Sequence, residues 1–133
     1  MTDPAAHVLR TAAGPGALAA IHAALEQVWA AHPVPEPVRL HLDLAAGEIG
    51  ANIVEHGTAA TLRLEISVRP DRVQLVFTDD GDAATGIDLD AAAMPDPMAD
   101  RGRGLALARA VLDEFGYDRD GAHNRWTLTH LLS

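Results

Sequence analysis

Glu48, Asn52 and His56 follow one another at steps of four in the stretch Gly47-Glu48-Ile49-Gly50-Ala51-Asn52-Ile53-Val54-Glu55-His56-Gly57. On a helix that spacing stacks the three side chains in one row, drifting by about 40° per step. A carboxylate, a carboxamide and an imidazole are poor choices for a core and reasonable ones for the floor of a site. The plainer alternative is a solvated helix face closed by Gly57 as its cap. Asp79-Asp80-Gly81 is the second candidate. A carboxylate at a strand end can accept a hydrogen bond from an exocyclic amine such as that of adenine, and a nearby glycine lets a ligand approach the backbone. Asp-Gly after a strand is also an ordinary turn. The third candidate is Arg101-Gly102-Arg103-Gly104-Leu105. Glycines at a helix start expose N–H groups where the helix dipole is positive, a natural seat for phosphate oxygens. A flexible entry to the helix is the alternative there.

The elements that must position these groups follow from periodicity. Val38, Leu42, Ala45, Ile49 and Ile53 form one apolar stripe, so a helix runs from Pro37 to Gly57. Ile21, Leu25, Val28 and Trp29 predict an earlier helix that opens at Pro15 and ends near His32, with Pro33, Pro35 and Pro37 as a stiff connector. Residues 61–69 and 72–78 alternate around Pro70-Asp71 and read as a hairpin. Ala6 to Thr11 is a short strand with Val8 apolar and Arg10 polar, after a loose terminus. A long loop runs from Thr78 to about Asp100, the length at which loops are usually functional. Leu105, Ala108, Val111, Leu112 and Phe115 predict a helix over 104–115. Asp118 to His123 reads as a turn, and Trp126 and Leu128, with His130, as a final strand. The expected architecture is α+β: two layers, with helices on one face of a mixed, mostly antiparallel sheet.

Composition narrows the chemistry. The 133 residues predict a single domain, 1–133. All ten basic residues are arginine. Without lysine there is no Walker-type P-loop and no Schiff base. Serine occurs only at Ser67 and Ser133 and cysteine not at all, which removes serine and cysteine nucleophiles and thiolate zinc sites. A net charge of −9 argues against nucleic acid as a partner. No run approaches a membrane span, and no signal-peptide pattern opens the chain. A cytoplasmic setting is the expectation.

The order of the three candidates carries more than any one of them. A helix with Glu and Asn four apart, a strand ending in Asp-x-Gly, a loop, and Gly-x-Gly-Leu opening a helix together resemble the GHKL (Bergerat-fold) ATP-binding domains. The run Arg-Gly-Arg-Gly-Leu-Ala-Leu-Ala-Arg-Ala-Val-Leu-Asp-Glu-Phe and the later Asn-Arg-Trp-Thr-Leu-Thr look most like the anti-sigma-factor serine kinases of bacterial partner switching. The resemblance spans about residues 6 to 132. It implies that Glu48 positions or deprotonates an attacking hydroxyl, that Asn52 ligates Mg²⁺, and that His56 matches a position often basic. It implies further that Asp79 holds the adenine amine of ATP with Gly81 and Asn124 beside it. Gly102 and Gly104 would cradle phosphates, with Arg101, Arg103 and Leu105 in the same binding segment. Three departures stand out: Ala83 replaces the second glycine of Asp-x-Gly-x-Gly, Asp82 to Asp88 replaces a Pro-Phe-Asp-Pro run, and Arg101 replaces a frequent glycine.

What the resemblance implies is a Mg·ATP-dependent serine/threonine kinase. Its substrate would be a STAS-type antagonist, and it would sequester a sigma factor; homodimers are common among such proteins. One alternative is a regulator of the same fold that works by docking, with or without nucleotide. Another is the detached ATP-binding domain of a histidine-kinase relay, which needs a phosphoacceptor helix that His41 is poorly suited to supply. A structural α+β domain without nucleotide is the remaining alternative.

Overall fold

The computed structural model describes residues 6–83 and 100–132, and the side chains of 100–103 fall outside that description. Strands β1 (Ala6–Ala12), β2 (Thr61–Val68), β3 (Arg72–Asp79), β4 (Glu114–Asp120) and β5 (His123–Leu131) form one sheet in the order β1-β2-β3-β5-β4. Every neighbouring pair is antiparallel. Helices α1 (Ala17–Ala31), α2 (Glu36–His56) and α3 (Asp100–Val111) complete the described elements.

Alternation in the strands decides which face is covered. Leu62, Leu64 and Ile66 of β2, Val73, Leu75 and Phe77 of β3, and Trp126 and Leu128 of β5 are all buried. The register places Leu64 opposite Phe77 and Phe77 opposite Trp126, so these side chains share one face. The other face carries Arg10, Arg63, Glu65, Thr78 and Arg125 in the intervening positions. In β1 the inward residue is Leu9; Val8 is 41% exposed and shares the outer face with Arg10.

The expected apolar stripe of α2 is the core side of that helix. Val38, Leu42, Ala45, Ile49 and Ile53 are buried, three of them completely. Ile21, Leu25 and Val28 of α1 pack into the same core, and Trp29 sends its Nε1–H to Asp43 Oδ1 on α2 at 2.9 Å. His41 on α2 meets His130 on β5, with Nδ1 and Nε2 2.9 Å apart. The helix is thereby fastened to the helix beside it and the sheet beneath it.

Two boundaries differ from expectation. Helix α3 covers Asp100–Val111 instead of 104–115, and the residues read as a turn mostly belong to β4 and β5. Val111, Leu112 and Phe115 continue the helical spacing, but the chain leaves the helix after Val111. Asp113 then donates its N–H to Thr129 O at 3.0 Å, which pulls it onto the sheet. Phe115 becomes an inward residue of β4, its ring centroid 6.4 Å from that of Trp126. The turn shrinks to Gly121-Ala122, where Gly121 takes φ +60, a value that suits glycine. The expected loop beyond Ala83 and the loose first residues lie outside the described residues.

The end of β3 is stitched to the start of β2 by one carboxylate. Asp80 Oδ1 accepts the N–H groups of Ala60 and Thr61 at 2.8 and 3.0 Å, and Oδ2 accepts the Thr61 hydroxyl at 3.0 Å. The Thr61 N–H, then the other donors, hold the Asp80 carboxyl below its ordinary range. A carboxyl lowered on folding stabilises the fold above its unfolded value and loses that effect as pH falls through the folded one. Asp80→Ala is therefore expected to lower the melting temperature at neutral pH and to narrow its gap from wild type as pH falls below about 4. A gap that stays constant down to pH 2 in thermal melts would contradict this.

Candidate nucleotide-binding site

The predicted residues form two groups, one at the end of β3 and one where α2 meets α3. The first is built on Asp79. Its side chain is only 5% exposed, so its oxygens need donors from the protein. Oδ1 accepts the Gly81 N–H and an Asn124 Nδ2–H, each at 2.9 Å. Oδ2 accepts the Trp126 indole N–H at 3.3 Å. Antiparallel pairing explains the meeting, because the β3–β5 register sets Asp79 directly opposite Asn124. With three donors on four lone-pair positions, the carboxylate keeps acceptor capacity on Oδ2. That suits a ligand amine and disfavours a ligand carbonyl.

Gly81 is confined as well as useful. A Cβ there would stand 2.8 Å from Ala59 N and 3.1 Å from Asp79 Oδ1. The segment after β3 is also tied to the end of α2, since Asp82 N–H donates to Thr58 Oγ1 at 2.8 Å. The Asp-x-Gly box is thus a rigid shelf.

The second group joins α2 to α3. Glu48 is half-buried, and a Cβ on Gly104 would lie 2.6 Å from Glu48 Oε2. The missing side chain at 104 lets the early part of α3 lie against this carboxylate. Leu105 beside it is buried at 4% and anchors α3 to the core. Asn52, one turn beyond Glu48, is 5% exposed, and His56 ends the helix in an exposed position. Arg101, Gly102 and Arg103 fall in the first turn of α3, so the glycines lie within the helix instead of before it. How the Arg101 and Arg103 side chains are placed lies outside the described residues.

Tyr117, Arg119 and Trp126 were not expected at the site. Tyr117 donates its hydroxyl to Asn124 Oδ1, and Arg119 Nη1 reaches Gly81 O at 2.8 Å and Asn124 Oδ1 at 3.1 Å. The signal that could have found the first two is the alternation of Phe115, Tyr117 and Arg119, hidden by the helical spacing that runs into it. For Trp126 the signal was an indole N–H on a buried strand face, which needs an acceptor.

These residues fit ATP and Mg²⁺. A buried, donor-ringed carboxylate with a spare acceptor position matches a purine amine. Gly104 carries no Cβ where α3 meets Glu48, so the carboxylate stands directly against the early part of that helix. The Asn52 carboxamide carries the kind of hard oxygen that would suit Mg²⁺. Among the described residues no three His, Cys, Asp or Glu side chains gather as a metal site. An ion held mainly by substrate oxygens needs no such cluster.

Gly81→Ala is expected to destabilise the fold by about 1–3 kcal/mol, because the added carbon meets backbone instead of a side-chain tip. Chemical denaturation would measure it; an unchanged midpoint would show that the shelf can shift freely.

Comparison with known proteins agrees with the geometry. A family model described as a histidine kinase-like ATPase domain matches residues 11–130. No curated protein sequence matches the chain. Among solved structures, the chain is similar to the crystal structure of the RsbU and RsbW domains of Rv1364c from Mycobacterium tuberculosis, with a TM-score of 0.72 and 20% identity. That likeness covers 95% of this chain and 32% of the other, so this chain spans about a third of that structure's length. At such identity the likeness concerns the fold, and the fold agrees with the expected resemblance to GHKL domains. With about nine-tenths of its length matched by the family model, the chain belongs to the histidine kinase-like ATPase domain family.

Proposed function

We propose that this domain is a Mg·ATP-dependent protein serine/threonine kinase of a partner-switching system, with a STAS-type antagonist as substrate and a sigma factor as the sequestered partner. The observation that carries the reading is the seat of Glu48 against Gly104, where α2 meets the beginning of α3. A purely nucleotide-holding or structural domain has no need of a half-buried carboxylate kept at that junction. Support for the partner class comes from the motif resemblance and from the similar fold seen in the RsbW-containing structure. A cytoplasmic setting goes with this reading, and no helix among the described residues is long and apolar enough to cross a membrane.

The residues divide the work. Asp79 accepts the adenine amine through Oδ2, while Gly81 and Asn124 hold its other oxygen in place. Asn52 would hold Mg²⁺, which when bound neutralises charge on the phosphate oxygens. Glu48 orients the hydroxyl of the protein substrate and takes its proton as the new oxygen–phosphorus bond forms and the bond to the nucleoside diphosphate breaks. The phosphate added to the antagonist would weaken its interface through charge repulsion and desolvation.

Two substitutions test the assignment. Glu48→Ala is expected to lower phosphoryl transfer to the antagonist by about 100-fold or more, with nucleotide affinity little changed. Wild-type protein that binds nucleotide yet yields no phosphoprotein with its antagonist and Mg·ATP would replace the kinase by a docking regulator. Gly104→Ala is the subtler case. Its Cβ displaces only the flexible end of Glu48, and alanine favours the helix by about 1 kcal/mol over glycine. The melting temperature should hold or rise while transfer falls by about 100-fold, the usual cost of a catalytic group misplaced by about 1 Å. Equal transfer in this variant and wild type would remove Glu48 from the reaction.

A further inference from the structure

Strand β4 supplies two side chains that converge on a single carboxamide. Asn124 Oδ1 receives the Tyr117 hydroxyl and, at 3.1 Å, Arg119 Nη1. Its Nδ2 faces Asp79 Oδ1 at 2.9 Å, Asp82 O at 2.8 Å and Gly81 O at 3.4 Å. The guanidinium can only donate, and the carboxylate and carbonyls can only accept. The amide therefore has one admissible orientation, set at Nδ2 by Asp79 and the residues just after β3 and at Oδ1 by two donors on β4. Arg119 also spans the turn and the shelf, with Nε on Gly121 O at 3.1 Å and Nη1 on Gly81 O at 2.8 Å.

We propose that Arg119 and Tyr117 are positioning residues for base selection, acting through Asn124 to keep Asp79 turned so that Oδ2 is presented to the base. This rests on the nucleotide-binding reading of the site. With Oδ1 occupied by two donors, rotation of the carboxylate breaks both bonds. What remains for a ligand is an acceptor at a set angle. A purine with an amine at position 6 meets it favourably; one with a carbonyl there places two acceptors face to face. Without the β4 donors the Oδ1 end of the Asn124 amide is no longer held, the side chain can tilt about its remaining Nδ2 bonds, and the carboxylate it holds can turn with it. Discrimination between the two bases then declines even where the fold stands.

The test is the ratio of affinities for adenosine and inosine diphosphates, which differ at that amine, measured by calorimetry. Wild type is expected to favour the adenine nucleotide by about 100-fold or more. Arg119→Ala and Tyr117→Phe should each reduce the ratio by about tenfold, the worth of one hydrogen bond in the chain that ends on a charged group. Arg119→Lys, which restores a donor, should recover part of it. A merely structural role would lower the melting temperature or both affinities together and leave the ratio where it was. An unchanged ratio in both variants, with wild type binding the adenine nucleotide, overturns the positioning role alone. Failure of wild type to bind adenosine diphosphate overturns the nucleotide reading and this role with it.

Discussion

A carboxylate buried at the covered face of a sheet is a constraint before it is a binding group. Taken from water without donors, such a group costs several kcal/mol. Asp79 meets that demand with a backbone N–H just beyond its own strand, a carboxamide across the sheet and an indole on the same neighbouring strand. Each donor fixes something else. The Gly81 bond curls the chain after β3, the Asn124 bond ties β3 to β5, and the Trp126 bond seats the largest side chain of the core. The end of the sheet is ordered around one charge.

Helix α2 faces a second demand, since it must bury one side completely and still bring polar groups to the neighbouring side. Its five-residue stripe packs on the sheet and α1, which leaves Glu48 half-buried and Asn52 nearly enclosed on the adjoining row. Helix α3 can approach that row closely because position 104 has no side chain. The Asp79 group and the Glu48 group thus rest on different supports. Strand pairing sets one, and helix packing sets the other.

The parts that were legible in the sequence are those where one period dominates. The stripe of α2 and the β2–β3 hairpin stand close to their expected places, because each has a single burial partner and an uninterrupted pattern. Strand β4 was not legible. Of its residues Glu-Phe-Gly-Tyr-Asp-Arg-Asp only Phe115 and Tyr117 favour a strand, and Phe115 falls in step with the helix before it. Only the bond from Asp113 to Thr129, between residues distant in sequence, shows that the helix has ended. Asn124 was expected near the base from the motif alone. That its Oδ1 is held by Tyr117 and Arg119 while its Nδ2 faces Asp79 depends on a three-strand neighbourhood that no local pattern encodes.

Trp126 turns the same neighbourhood into an optical instrument. Its indole N–H donates to Asp79 Oδ2, and the Tyr117 ring lies 4.4 Å from it, centroid to centroid. The other tryptophan, Trp29, is engaged instead with Asp43, between α1 and α2. With Trp29 replaced by phenylalanine, the remaining indole emission would come from beside that carboxylate alone. A change in the surroundings of Asp79 would then be readable without a label attached to the protein.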